Sequence, residues 1–178
     1  METLMIKVDR INKFGSGELE ELTLATIDAI ENEIGFGWTK KPHKNKLLDY
    51  WNGVLLVPNR WLFVGKYQGI VSGSLQVVTP SKSNEAGSFK AFIDTHFVAT
   101  WARGHGLAKL LIEKAEADCK KENFSHILLD VRETQQRAIS LYEQLGYKRW
   151  GILPSYHKLE NNKIVSGHFF YKCISTVN

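Results

Sequence analysis

In the first third of the chain, the pattern of apolar and polar residues predicts one strand followed by two helices. Apolar and polar residues alternate over Met5–Ile11, which predicts a strand. After a break at Gly15-Ser16-Gly17, leucines and isoleucines recur at roughly helical spacing as far as Gly35, which predicts a helix. The stretch His43–Trp51 predicts a second, shorter helix.

The middle of the chain carries short apolar runs that are typical of strands. Such runs occupy residues 61–64, 70–78 and 89–98. A turn is expected at residues 66–69, between the first two strands. Residues 80–88 contain Pro, Ser, Asn and Gly, and they predict an exposed hairpin loop.

The second half of the chain alternates helices with strands. Apolar residues keep one helical face over 104–119, and a buried-looking strand follows at 126–131. A further helix is predicted over 138–145, before two final strands at 147–152 and 167–174. The predicted order is βααβββαβαββ, which indicates an α/β (α+β) fold in which helices pack on a mixed sheet.

Length and composition indicate one globular domain that spans residues 1–178. The chain is 43% apolar and 24% charged, which is ordinary for a folded protein. Its net charge of +4 and pI near 9.0 favour anionic partners. The basic residues are scattered in short clusters such as Lys40-Lys41 and Lys120-Lys121. A nucleic-acid surface needs a denser basic stripe, so we expect no nucleic-acid partner.

Several further classes of protein are disfavoured by what the sequence lacks. No apolar run approaches the roughly 18 residues of a membrane span, and the first ten residues do not resemble a signal peptide. Cys119 and Cys173 lie far apart without a partner motif, which argues against a disulfide scaffold. The six histidines show no metal-ligand spacing. We therefore expect a cytoplasmic protein without a membrane anchor or a bound metal.

The most informative segment is the glycine-rich turn within Val98–Lys109, where a strand ends and a helix begins. Glycines let several backbone N–H groups approach one anion, and the start of a helix adds unpaired donors. Arg103 adds a guanidinium that is suited to phosphate. The P-loop motif is absent, and Lys109 stands where the dinucleotide fingerprint needs its third glycine. The turn predicts a pyrophosphate site, although a helix start with incidental glycines would give the same hexapeptide.

Two motifs resemble the GNAT superfamily of N-acetyltransferases. Arg103-x-x-Gly106-x-Ala108 is similar to the family's coenzyme A loop, Gln/Arg-x-x-Gly-x-Gly/Ala. The segment Gln135–Tyr147 resembles the family's Asn-x-x-Ala-x-x-Leu-Tyr-x-x-x-Gly-Phe, with Gln135 in place of the asparagine. The element order is also similar to that of the family. The resemblance covers nearly the whole chain and implies a mostly antiparallel central sheet flanked by helices.

The resemblance implies an N-acetyltransferase that uses acetyl-CoA as co-substrate and moves the acetyl group to a primary amine in a ternary complex. A non-catalytic acyl-CoA-binding module or sensor on the same fold is the alternative. By resemblance, Tyr142 is the proton donor to the leaving thiolate, and a core tyrosine is the alternative reading of that residue. The register of the motifs places ten residues at the cofactor: Phe97, Val98, Arg103, Gly104, His105, Gly106, Leu107, Ala108, Gln135 and Tyr142.

The general base is open at the level of sequence. His96 is the best single candidate because histidine has a near-neutral reference pKa. Asp94, Glu133 and a chain of water molecules are alternatives. Strand alternation places Asp94 and His96 on one face and Thr95 on the other.

The acceptor site is expected among the N-terminal helices and their loops. Trp38, Tyr50 and Trp51 are the candidates for lining it, although aromatic residues in such positions are more often part of the core. The acceptor itself is expected to be a small-molecule or peptide amine. A homodimer is an open alternative, since members of the family are often dimers.

Overall fold

The computed structural model describes residues 5–32 and 37–175. The predicted helix end at Gly35 lies outside these residues. Strands and helices follow one another as predicted, with longer bounds at several ends. The strands and helices are β1 (Ile6–Ile11), α1 (Glu18–Glu31), α2 (Lys44–Leu56), β2 (Arg60–Tyr67), β3 (Ile70–Val78), β4 (Lys90–Val98), α3 (Leu107–Lys121), β5 (His126–Arg132), α4 (Gln136–Gln144), β6 (Lys148–Lys158) and β7 (Ile164–Cys173).

The strands form one sheet in the order β1-β2-β3-β4-β5-β7-β6. Every neighbouring pair is antiparallel except β4 and β5, which run parallel. This arrangement confirms the expected α/β fold with a mixed, mostly antiparallel sheet. None of the helices in the described ranges is long and apolar enough to cross a membrane.

Helices cover both faces of the sheet and divide the core into two layers. On one face, α3 and α4 bury side chains such as Leu111 and Ile139 against the sheet. On the other face, α1 and α2 bury Leu22 and Trp51. The burial of these apolar faces supplies most of the stabilisation of helices of this length, because short isolated helices are marginal in water.

The parallel pair β4 and β5 separates soon after it begins. Only Lys90–Phe92 pairs with His126–Leu128, and beyond these residues β4 bonds β3 alone while β5 bonds β7. The sheet therefore opens into a gap between the carboxyl ends of its two central strands.

A β-bulge in β4 lies at the start of this gap. Gln76 of β3 pairs with Asp94, whereas Ser74 pairs with Phe97, so that β4 advances three residues while β3 advances two. Thr95 takes up the extra residue in a left-handed conformation, with a φ of 49°. Bulges increase the local twist of a strand, which accounts for the divergence of β4 from β5 at this point.

The bulge corrects the expectation that Asp94 and His96 share one face of the strand. The Asp94 carboxylate accepts a 2.8 Å hydrogen bond from Arg60, on the side of the sheet that α2 covers. His96 lies 2.9 Å from the hydroxyl of Tyr142, on the side that α3 and α4 cover. One inserted residue reverses the alternation, and simple period-two reasoning then fails.

Helix α2 and strand β6 extend furthest beyond their predicted ends. Helix α2 continues to Leu56, and β6 continues to Lys158 past Pro154. Leu153 pairs with Gly167 and His157 with Val165, so β6 advances four residues while β7 advances two. The irregular stretch contains Tyr156, and both Tyr156 and His157 line the cavity described below.

We expect Thr95→Asn to raise the free energy of unfolding by about 1 kcal/mol, because a left-handed backbone costs most L-residues roughly 1–2 kcal/mol and asparagine tolerates it better. Denaturant melts of the wild type and the variant measure the difference. Thr39→Asn is the matched control, because Thr39 is exposed and its φ is not positive. Equal effects of the two substitutions would contradict the assignment of strain to Thr95.

Candidate active site

A cavity of about 1090 Å³ occupies the gap between β4 and β5. Its walls come from the end of β4, the turn before α3, the end of β5 and the first turns of α4. Large apolar clefts with a few convergent polar groups are the usual sites of ligand binding. The cavity brings together both sequence motifs, which are separated by about 30 residues along the chain.

The glycine-rich turn forms an anion-binding start to α3. Gly104 and Gly106 have φ values of 81° and 83°, which most side chains could not adopt without strain. The N–H of Leu110 donates the first bond of the helical ladder, to the carbonyl of Gly106 at 3.0 Å. The amides of the three residues before Leu110 therefore precede the ladder, at the positive end of the helix dipole beside the cavity.

Arg103 and His105, which flank Gly104, differ in where their side chains lie. Arg103 lines the cavity, and its Nε donates a 3.3 Å hydrogen bond to the carbonyl of Val98. The ring of His105 stacks on Tyr67, with 4.6 Å between centroids and 10° between planes. The imidazole thus packs on the β2–β3 hairpin, and the part of His105 that remains for a ligand is its backbone.

The end of β4 presents one backbone donor to the gap. Ala99 donates to the carbonyl of Ser72, and Phe97 pairs with Ser74, so both bond β3. Alternate residues of an antiparallel strand point their backbone groups to opposite sides, and the N–H of Val98 therefore points away from β3. The side chain of Phe97 is buried in the layer beneath α1 and α2.

Tyr142 projects from α4 to the floor of the cavity and is 4% exposed. Its ring packs beside Tyr147 and Phe170, with centroids 5.7 and 6.2 Å away. Burial, with a smaller contribution from the negative charge of Asp130, raises the pKa of Tyr142 above its usual range. The hydroxyl therefore stays protonated at neutral pH.

His96 lies beside Tyr142 in an environment that keeps the imidazole neutral. Its Nδ1 is 2.9 Å from the Tyr142 hydroxyl, and its Nε2 is buried without a hydrogen-bond partner among the described residues. Burial lowers the pKa of His96 to about 4, and contact with the Ala108 backbone offsets only part of this shift. These surroundings count against His96 as the group that takes a proton from an amine.

Gln135 lines the cavity at the first turn of α4, where its carbonyl accepts a 3.0 Å hydrogen bond from the N–H of Ile139. Glu133, another candidate base, accepts a 3.1 Å hydrogen bond from the N–H of Ser166 and does not line the cavity. The structure thus brings Gln135, but not Glu133, to the site.

The three aromatic residues expected at the acceptor site lie outside the cavity. Trp51 is fully buried, and its Nε1 donates a 2.9 Å hydrogen bond to Thr26, which corrects the expectation that it lines a binding site. The hydroxyl of Tyr50 accepts a 2.9 Å hydrogen bond from Gln76. Trp38 packs edge-on against Tyr50, with 5.0 Å between centroids. These residues hold α2 against the sheet.

Sequence reasoning missed the residues that line the far end of the cavity. Asp130 of β5 and Tyr156 and His157 of β6 lie there, with Asp94 on the opposite wall. Asp130 was recognisable in principle as a single carboxylate within the apolar strand His126–Arg132. No local signal marks Tyr156, because its position follows from the irregular pairing of β6.

Comparison with known proteins agrees with this architecture. A sequence model of the Acetyltransferase (GNAT) family matches residues 24–147. An uncharacterized N-acetyltransferase encoded in the hisH-hisA intergenic region of Azospirillum brasilense is 44% identical over 132 residues, which cover 74% of this chain and 79% of that protein.

Solved structures share the fold over nearly the whole chain. An N-acetyltransferase of Staphylococcus aureus Mu50 has a TM-score of 0.78 at 16% identity and covers 98% of this chain and 100% of its own. A putative acetyltransferase of Salmonella typhimurium, yncA, was solved with its cofactor acetyl-CoA. It has a TM-score of 0.75 at 11% identity and covers 96% of this chain and 94% of its own. The family match and the Azospirillum relative establish that this chain belongs to the GNAT family of acetyltransferases.

Proposed function

We propose that the protein transfers the acetyl group of acetyl-CoA to a primary amine by direct attack of the amine. The observation that carries this proposal is a protonated Tyr142 hydroxyl in the same cavity as the anion-binding start of α3. Membership of an acetyltransferase family and the acetyl-CoA bound to the Salmonella protein support the choice of co-substrate.

The backbone amides and positive charge at the start of α3 suit the pyrophosphate of acetyl-CoA. The pyrophosphate would accept hydrogen bonds from the amides at the start of α3, where Gly104 and Gly106 let the backbone come close. Arg103 would add positive charge beside it. The pantetheine arm would then enter the gap between β4 and β5 and bring the thioester to the N–H of Val98 and to Tyr142.

The chemistry follows from this placement. The amine nitrogen attacks the thioester carbonyl, the N–H of Val98 stabilises the oxyanion, and the carbon–sulfur bond breaks. The leaving thiolate, whose thiol has a pKa of about 8.5, takes the phenolic proton of Tyr142, and the nitrogen of the new amide returns a proton to the phenolate. The thiol of Cys119 is buried in the core, and burial raises its pKa to about 12, so it is a poor nucleophile for an acyl-enzyme route.

His96 serves in this scheme as a positioning residue rather than as a base. Its Nδ1 lies 2.9 Å from the Tyr142 hydroxyl, and this contact fixes the phenolic oxygen at the floor of the cavity.

The direct test measures release of free CoA from acetyl-CoA with a panel of spermidine, L-lysine, glucosamine, kanamycin and a peptide with a free N-terminal alanine. We expect at least one amine to give acetylated product in equal amount to free CoA. Tight binding of acetyl-CoA without turnover on any amine would support the acyl-CoA sensor instead.

Tyr142→Phe is expected to lower kcat by about 10²- to 10⁴-fold, because it removes the proton donor and keeps the ring that packs in the core. Calorimetry should show unchanged affinity for acetyl-CoA. Tyr171→Phe is the control, because Tyr171 is an exposed tyrosine of β7 outside the cavity. A folded Tyr142→Phe enzyme with the wild-type kcat would contradict the role of Tyr142.

In the His96→Gln variant, the free energy of unfolding should fall less between pH 7 and pH 5 than it does in the wild type. The pKa of His96 is about 4 in the folded protein and about 6.5 in the unfolded chain, so only the unfolded chain binds the proton between these values. Wild-type stability therefore falls as the pH drops from 6.5 toward 4, and the variant lacks this contribution. Denaturant melts at pH 7 and pH 5 measure it, and equal losses in the two proteins would show that His96 is not held neutral.

A further inference from the structure

We propose that Asp130 and Tyr156 form the acceptor end of the site, where Asp130 binds the ammonium group of the substrate and takes its proton while Tyr156 holds the carboxylate in place. This inference rests on the proposed acetyl transfer and names the group that receives the amine.

Asp130 lies where the two central strands separate. The pairing of β5 with β4 ends at Leu128, and Asp130 follows two residues later on the wall of the cavity. Its charge contributes to the raised pKa of Tyr142, so the two groups are close enough to interact. A proton acceptor for the amine nitrogen and a proton donor for the leaving sulfur thus face one cavity, as transfer of the acetyl group from sulfur to nitrogen requires.

The ring of Tyr156 packs directly against the backbone of Gly167 and beside Phe169. The irregular pairing between Leu153 and His157 brings β6 over β7 at this point. A Cβ atom on Gly167 would overlap the ring of Tyr156, so the ring depends on glycine at that position. The ring also packs edge-on against Phe169 at 5.5 Å, and its hydroxyl donates a hydrogen bond to Asp130.

Asp94 is not expected to bind the ammonium group in place of Asp130, because its carboxylate is already paired. Asp94, on the facing strand β4, forms an ion pair with Arg60 at 2.8 Å. Partial loss of hydration and the remaining repulsion from Asp94 raise the pKa of Asp130. A carboxylate with a raised pKa is a stronger base than an ordinary aspartate.

The other groups around Asp130 are neutral, except for Arg132 on its own strand, which also lines the cavity. From α4 comes the protonated Tyr142, and β7 contributes the apolar Phe169. His157 of β6 has its pKa lowered by burial and by the charge of Arg132, a residue of β5. An ammonium group is therefore the ligand that best complements the negative charge of Asp130, and the acceptor is a primary amine that is protonated in solution.

The proton balance closes with these residues. The ammonium gives one proton to Asp130, and the neutral nitrogen attacks, so that the carbon–nitrogen bond forms and the carbon–sulfur bond breaks. Tyr142 gives its proton to the sulfur, and the second proton that leaves the nitrogen restores Tyr142. Asp130 releases its proton to solvent, so the products are the amide, CoA thiol and one proton.

The first test uses Asp130→Asn with the panel amine that the wild-type enzyme acetylates fastest. We expect kcat/KM for that amine to fall about 10²-fold or more at pH 7, with the affinity for acetyl-CoA unchanged. The deficit should shrink about tenfold per pH unit toward the pKa of the amine, because the solution then supplies neutral amine. Asp49→Asn, on α2 and outside the cavity, is the control and should behave as wild type.

The second test asks whether Tyr156 acts through Asp130. Tyr156→Phe removes a donor that favours the ionised carboxylate, so the acidic limb of kcat/KM should move to higher pH while the rate on its plateau stays near wild type. Gly167→Ala, which displaces the ring, should give the same movement, and the double variant should add little to either.

Each outcome separates the two levels of the proposal. If the wild type acetylates an amine and Asp130→Asn matches it at every pH, Asp130 is not the proton acceptor and this inference fails alone. If the acidic limb of kcat/KM does not move in Tyr156→Phe, Tyr156 does not position Asp130 and is not part of the acceptor site. A wild type that binds acetyl-CoA and acetylates no amine overturns the proposed transfer and the acceptor site together.

Discussion

The extra residue in β4 is the constraint on which the rest of the site depends. Without the bulge at Thr95, β4 would continue along β5 and fill its hydrogen bonds, and the two strands would leave no gap. The same inserted residue turns His96 toward Tyr142 and leaves Asp94 with Arg60 on the other face. One backbone irregularity thus opens the cavity, frees the N–H of Val98 and sorts the polar side chains.

Burial then sets the protonation states that the chemistry needs. Loss of hydration disfavours the charged form of each buried group, so Tyr142 keeps its proton and His96 stays without a second one. Asp130 is exposed to the cavity, and its pKa rises without the carboxyl being fully desolvated. Tyr142 and His96 are therefore neutral because both are buried, whereas the more exposed Asp130 keeps hydration that favours its charged form.

Local sequence patterns predicted the parts of the site that depend on local geometry. The turn Arg103–Ala108 and the helix that carries Tyr142 were predictable because glycine positions and apolar spacing fix them within a few residues. The relation of Asp94 to His96 was not, because a bulge leaves no local mark and inverts the alternation. Trp51 was expected at the acceptor site but is buried in the core, because sequence alone does not distinguish an aromatic residue of the core from one of a binding site. Tyr156 depends on pairing between β6 and β7, which is non-local.

The proposed mechanism requires that the gap between β4 and β5 binds acetyl-CoA. The measurement is the melting temperature of the protein with and without acetyl-CoA, with adenosine diphosphate as a weak-binding control. A ligand at about 100 times its Kd adds about 2.7 kcal/mol, which for a chain of this size is a rise of roughly 5–10 °C. We expect that rise with acetyl-CoA and a smaller one with adenosine diphosphate. No rise, together with no heat of binding to the folded protein in calorimetry, would mean that the glycine turn is only the start of a helix.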